Sequence, residues 1–175
     1  LIQAHEPARN VLKMIVFWDH EEIGSHTPQG AGSTLFSNIL ERICLSLNLT
    51  REHYFRLIHN GKCLSVDMAH ALHPNYAEKA EQRHHVLMGK GIVIKSNAQH
   101  RYASDACSSA WLVDLCQENH IPYQYFVSRG DLPAGTTIGP IHATLTGRPT
   151  VDIGCPQLSM HSCREIVDLQ DHMSM

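Results

Sequence analysis

No stretch of this chain reaches the roughly 18 consecutive apolar residues that a membrane-crossing helix needs. Short apolar runs such as Met14–Trp18 and Ile92–Ile94 read instead as buried strands. Its six cysteines contain no Cys-x-x-Cys pair, so the paired-thiol signature of zinc ribbons and redox motifs is missing. Most of those cysteines sit among apolar residues, the habit of reduced thiols in a cytoplasmic protein. No block of like charge occurs, and the net charge of -3 lacks the basic stripe of a nucleic-acid binder. No charged-then-apolar leader follows Leu1, and no internal repeat or low-complexity tract appears. The chain stops within what reads as a helix, so both ends are expected to be cuts in a longer protein.

What is present is an ordinary globular composition, 43% hydrophobic and 18% charged, in 175 residues, enough for one domain with its own core. The run Val11–Trp18, VLKMIVFW, predicts a strand buried on both faces. Ser33 is expected to cap a helix reaching Leu47, and Thr50 a second helix that Gly61 stops. Strands are expected at Lys62–Met68, Gly91–Lys95, Tyr123–Val127 and Pro149–Ile153. Helices are expected at Ser104–Asn119, near Thr137–Leu145 and at Met160–Asp171, with a long functional loop over His70–Lys90. This alternation predicts an α/β domain whose mostly parallel or mixed sheet is covered on both faces.

Four stretches carry chemistry. Asp19-His20-Glu21-Glu22 follows the first expected strand, at the kind of sheet edge where ligands collect. Adjacent carboxylates repel unless a cation or a shared proton intervenes, so one Glu suits a metal and the other general-base work. A solvated acidic loop is the plain alternative. Asp67 is the one acid of its strand, and a buried carboxylate calls for a metal or a cation, unless it only caps a turn. His70 and His73 follow it. His161, expected between a strand and a helix, would meet the same edge. Lys95 ends an apolar strand, placed to pair with a substrate carboxylate or with a structural acid.

Together, DHEEIGS, SVDMAHALHPNY, GIVIKSNAQHRYASD, GTTIGPIHA and CPQLSMHSCRE, in that order, resemble the aspartyl aminopeptidases, dinuclear zinc exopeptidases. The resemblance runs from about Val16 to Glu165. It implies a three-layer α/β/α sandwich of the zinc-exopeptidase kind, with residues 1–175 forming the C-terminal part of the catalytic domain. By that resemblance Glu21 is the general acid/base, and Glu22 and His161 share one zinc while Asp67 serves the other. His70, Lys95 and Tyr102 line the substrate pocket, Lys95 facing the acidic side chain. The implied cofactors are two divalent ions, Zn2+ or else Co2+ or Mn2+. The implied partners are peptides with an acidic N-terminus and further copies in a tetrahedral dodecamer, in the cytoplasm. The family's first zinc-ligating His, its bridging Asp and its inserted dimerisation domain have no counterpart here. Ala80 and Ala134 stand where the family has His and Cys.

Overall fold

Residues 11–175 are described by the computed structural model. Two helices come first, α1 (Leu35–Ser46) and α2 (Arg51–Asn60), and they bury Leu40, Cys44, Tyr54 and Ile58 against each other. Thr50 caps α2 through a reciprocal pair of bonds with His53, and the helix stops at Gly61 as expected. The cap of α1 is Thr34 rather than Ser33.

The sheet follows. Its strands are β1 (Cys63–His70), β2 (Ile92–Ser96), β3 (Tyr123–Val127), β4 (Thr150–Leu158) and the two-residue β5 (Ile166–Val167). The order is β1-β4-β2-β3, with β5 on β4. β1–β4 and β2–β3 are parallel, while β2 runs antiparallel to β4, so the sheet is mixed. Helix α3 (Ala106–Glu118) packs Leu112 and Cys116 on Ile92, Ile94, Val151 and Ile153. Helix α4 (Ile138–Thr146) lies against the opposite face, where its Gly139 meets the Asp152 carboxylate. Helices on both faces make the three-layer sandwich.

Two expected elements are different. Val11–Trp18 forms no strand; its residues from Val11 to Phe17 are exposed, Phe17 by 91%. A strand needs a neighbour's N–H and C=O groups, and among the described residues this run has no such ladder; apolar composition alone does not supply one. The expected helix over Met160–Asp171 is also absent. β4 continues through Cys155–Leu158, Ser159 and His161 take left-handed backbone, and β-branched Ile166–Val167 pairs back onto β4. Helix α5 (Leu169–Ser174) begins only where Asp168 accepts from the Gln170 and Asp171 amides. Buried Asp171 then accepts from Gly89 N and Gly91 N, both at 2.6 Å, tying α5 to the entry of β2.

Candidate active site

Sheet register sets the floor of the site. Gly154 of β4 is paired with Asp67 on one side and Val93 on the other. Side chains alternate along a strand, so Asp67, Val93 and Lys95 share a face, and Gly154 puts nothing between them. Lys95, only 2% exposed, reaches across and donates to Asp67 Oδ2 at 3.2 Å and to the Met68 carbonyl at 2.6 Å. Asp67 is less enclosed than its strand position suggests, its side chain 41% exposed, and its Oδ1 accepts from Met68 N. The buried Tyr102 ring lies 5.4 Å from the Lys95 ammonium and meets Phe126 edge-on. Burial, then the charges of Asp152 and Asp67, push the Tyr102 hydroxyl up to about 12.

Loops supply the rim. His20, in left-handed backbone, opens a single 3-10 turn over Glu21–Ile23, and left-handed Gly24 closes it. The chain then doubles back on buried Ser25, whose carbonyl accepts from Gly32 N; a Cβ on Gly30 would lie 2.3 Å from that same oxygen. Only glycine fits there. On the other side His161 is held in a left-handed turn by its own amide, which donates to Glu165. Its Nε2 lies 3.0 Å from Glu22 Oε2, with both side chains more than half exposed. Left-handed non-glycine residues on both rim loops are costly, and such backbone recurs at functional sites.

All seven residues singled out in the sequence, Glu21, Glu22, Asp67, His70, Lys95, Tyr102 and His161, line one open cleft of about 210 Å³. Partial burial raises the Glu21 carboxyl above its usual range, as do Asp67 and Glu22; Lys95 and His161 oppose the shift. At the mouth, His70 is open to solvent on one side and desolvated on the other. That desolvation, with Lys95 and His161, lowers its pKa. The cleft continues past His70, Tyr102 and Phe126 into a more apolar cavity of about 400 Å³ that includes Leu72, Val86, Leu132 and Pro133.

The donors at the rim suit zinc. One imidazole nitrogen and one carboxylate oxygen stand about as far apart as two ligands of a tetrahedral ion, roughly 3.3 Å for bonds near 2.0 Å. Among the described residues no third His, Cys, Asp or Glu completes a metal-binding group with them. Asp67 stands apart from that pair, engaged with Lys95.

Sequence reasoning did not single out several cleft residues, among them Thr136, Thr137, Gln157 and Glu165. It also passed over Asp152, buried behind the cleft. The signal for Asp152 was the one that flagged Asp67: an acid inside an apolar strand.

The family model for Aminopeptidase I zinc metalloprotease (M18) matches residues 1–175. The chain belongs to the M18 aminopeptidase family. A probable M18 family aminopeptidase 2 of Clostridium acetobutylicum is 49% identical over 166 residues, 95% of this chain and 38% of that protein. A probable aspartyl aminopeptidase of Ricinus communis is 44% identical over 168 residues, 96% of this chain and 34% of that protein. The chain thus spans about a third of the length of these relatives. Among solved structures, that of an S. cerevisiae mApe1 dodecamer superposes with a TM-score of 0.74 at 34% identity, over 88% of this chain and 34% of that one. Among the described residues no helix is long and apolar enough to cross a membrane.

Proposed function

We propose that this chain is the C-terminal part of the catalytic domain of a dinuclear zinc aminopeptidase that removes Asp or Glu from peptide N-termini. The observation that carries the reading is the meeting of Glu22 and His161, far apart in sequence, at the rim of one cleft that Glu21 and Asp67 also line. Glu22 and His161 would hold one zinc and Asp67 the other, with the remaining ligands outside this chain. Co2+ or Mn2+ could replace zinc in the same oxygen and nitrogen donors. Held there, such ions would supply Lewis-acid chemistry for peptide hydrolysis near neutral pH.

Within this frame Glu21 accepts a proton from the attacking water and passes it to the departing amine as the C–N bond breaks. Its partial burial, the largest cause of its raised pKa, suits that exchange, because a weakly basic carboxylate would hold the proton too loosely to carry it. The Lys95 ammonium has two donors committed to Asp67 and Met68 O. Its third remains for a substrate carboxylate, beside Tyr102 and His70. The apolar cavity beyond gives the rest of the peptide room. A tetrahedral dodecamer in the cytoplasm completes the proposal; six unpaired cysteines and a dodecameric neighbour support it.

One observation favours a second reading. Because Asp67 already balances Lys95, the cleft floor presents less net positive charge than a free lysine would, which suits a neutral first residue. Hydrolysis of matched Asp, Glu, Ala and Leu aminoacyl substrates by the metal-loaded full-length enzyme decides between them. Preference for Ala or Leu would establish the second reading. Absence of hydrolysis with metal bound would make the protein a non-catalytic subunit.

A further inference from the structure

One fully buried acid has no part in the chemistry just described. Asp152, the third residue of β4, is 0% exposed. Its Oδ2 accepts from Ala103 N at 2.5 Å, and its Oδ1 accepts from the Thr137 hydroxyl at 2.6 Å. Its own backbone is also engaged: Asp152 N donates to Ser104 Oγ at 2.9 Å, and Ser104 Oγ donates to the Asp152 carbonyl at 3.4 Å. β2 pairs with β4 only at Val93 and Ile94, so these Ser104 bonds take the place of the ladder where the two strands separate.

The two segments held this way form separate parts of the cleft wall. Ala103 and Ser104 directly follow Tyr102, and Thr137 directly follows Gly135 and Thr136; Tyr102, Gly135, Thr136 and Thr137 all line the cleft. A further bond joins the two segments, Thr136 Oγ1 to the Arg101 carbonyl at 3.0 Å, but it lies on the exposed side. A Cβ on Gly139 would lie 2.2 Å from Asp152 Oδ2, so α4 begins against the carboxylate with no slack.

We infer that Asp152 is a positioning residue: one buried carboxylate fixes the Tyr102 wall and the Thr136–Thr137 wall of the substrate pocket relative to each other. A buried carboxylate is costly to desolvate, and amide and hydroxyl donors without a cation offset that cost only in part. A structural role alone would be met by an apolar residue of the same size. What an apolar residue cannot do is hold two loops at once through opposed hydrogen bonds on one rigid group.

The inference rests on the aminopeptidase reading for its kinetic consequence and not for its structural one, so the test has two arms. The full-length, metal-loaded enzyme is compared with Asp152→Asn, Asp152→Ala and Gly139→Ala. Asn can accept from Ala103 N with its carbonyl and donate to Thr137 Oγ1 with its amide, so it should behave nearly as wild type. Ala at 152 and Ala at 139 should each loosen both walls. In hydrogen exchange, Tyr102–Ser104 and Thr136–Gly139 should lose protection together while Val151 and Ile153 keep theirs. In kinetics, KM for the preferred aminoacyl substrate should rise on the order of tenfold, with kcat less affected and metal content unchanged.

Loss of protection in one wall only, or across β4 as a whole, overturns the inference. So does a KM unmoved in variants that show lower thermal stability. If the wild-type enzyme hydrolyses no aminoacyl substrate, the aminopeptidase reading fails, and coupled exchange at the two walls still decides the role of Asp152.

Discussion

The floor and the rim of the cleft are built on opposite principles. On the floor, Asp67 and Lys95 stand on the two strands that flank β4, and the register puts them on one face with a glycine of β4 between. Lys95 is buried and donates to Asp67 and to the Met68 carbonyl. On the rim, Glu21, Glu22 and His161 come from a single turn and from left-handed loop residues, and the Glu22–His161 pair is exposed. An exposed ion pair is worth little for stability, 0–1 kcal/mol by general experience. The rim is therefore free to be optimised for ligands, while the floor also carries the fold. Changes at the rim should cost activity and spare stability, and changes on the floor should cost both.

The largest expected effect comes from Glu21→Gln in the full-length enzyme. Turnover should fall by about 10²–10⁴, the usual worth of a general acid–base group. Metal content and thermal midpoint should hold. Loss of metal in parallel with activity would make Glu21 a ligand and redraw the rim.

Lys95→Met tests the floor. Asp67 keeps its exposed side, so the loss of stability should be about 2 kcal/mol, below the 3–5 of a wholly buried pair. Under the acidic-residue reading kcat/KM should fall more for Asp and Glu substrates than for Ala and Leu. Equal losses would show that Lys95 serves only the fold and Asp67.

Helix α4 offers a pH control that neither floor nor rim should share. His142 on α4 is buried, stacks edge-on with Phe36, and among the described residues has no partner for Nε2. Burial, aided by Arg148, lowers its pKa to about 4. Unfolded, it titrates near 6.5, so below that value the unfolded chain binds the proton more readily. Stability is full above about pH 6.5 and falls as the pH drops toward 4, by about 2 kcal/mol between pH 7.5 and 5. Denaturant midpoints should show this loss, and His142→Leu should flatten it. An unchanged slope in the variant would place the acid sensitivity elsewhere.

The smallest effect expected is that of Glu22→Gln on stability without metal, within about 0.5 kcal/mol. The same substitution should reduce metal retention sharply. A stability loss of several kcal/mol in the metal-free protein would mean that the rim is structural after all, and the contrast with the floor would collapse.

Much of this was legible in the sequence, and the reasons differ by element. Thr50 before α2 and Gly61 after it, and the short run Tyr123–Val127, are local signals that the fold obeys. The strand expected at Val11–Trp18 fails because pairing needs a second strand, which no local pattern guarantees. The helix expected at Met160–Asp171 fails because its apolar residues serve a β5 pairing and a late cap at Asp168. Acids within apolar strands were the clue to Asp67, and Asp152 carried the same clue unused.

By itself the sequence determined the chemistry available: which acids interrupt apolar strands, which turns must be glycine, and which motifs stand in what order. Only the tertiary structure decided their pairing. That Lys95 spends two of its donors on Asp67 and Met68 O follows from register across three strands and from the missing side chain at Gly154. That His161 meets Glu22 follows from a left-handed turn after β4. Such contacts depend on distances between segments remote in the chain, which the energetics of each segment alone do not fix.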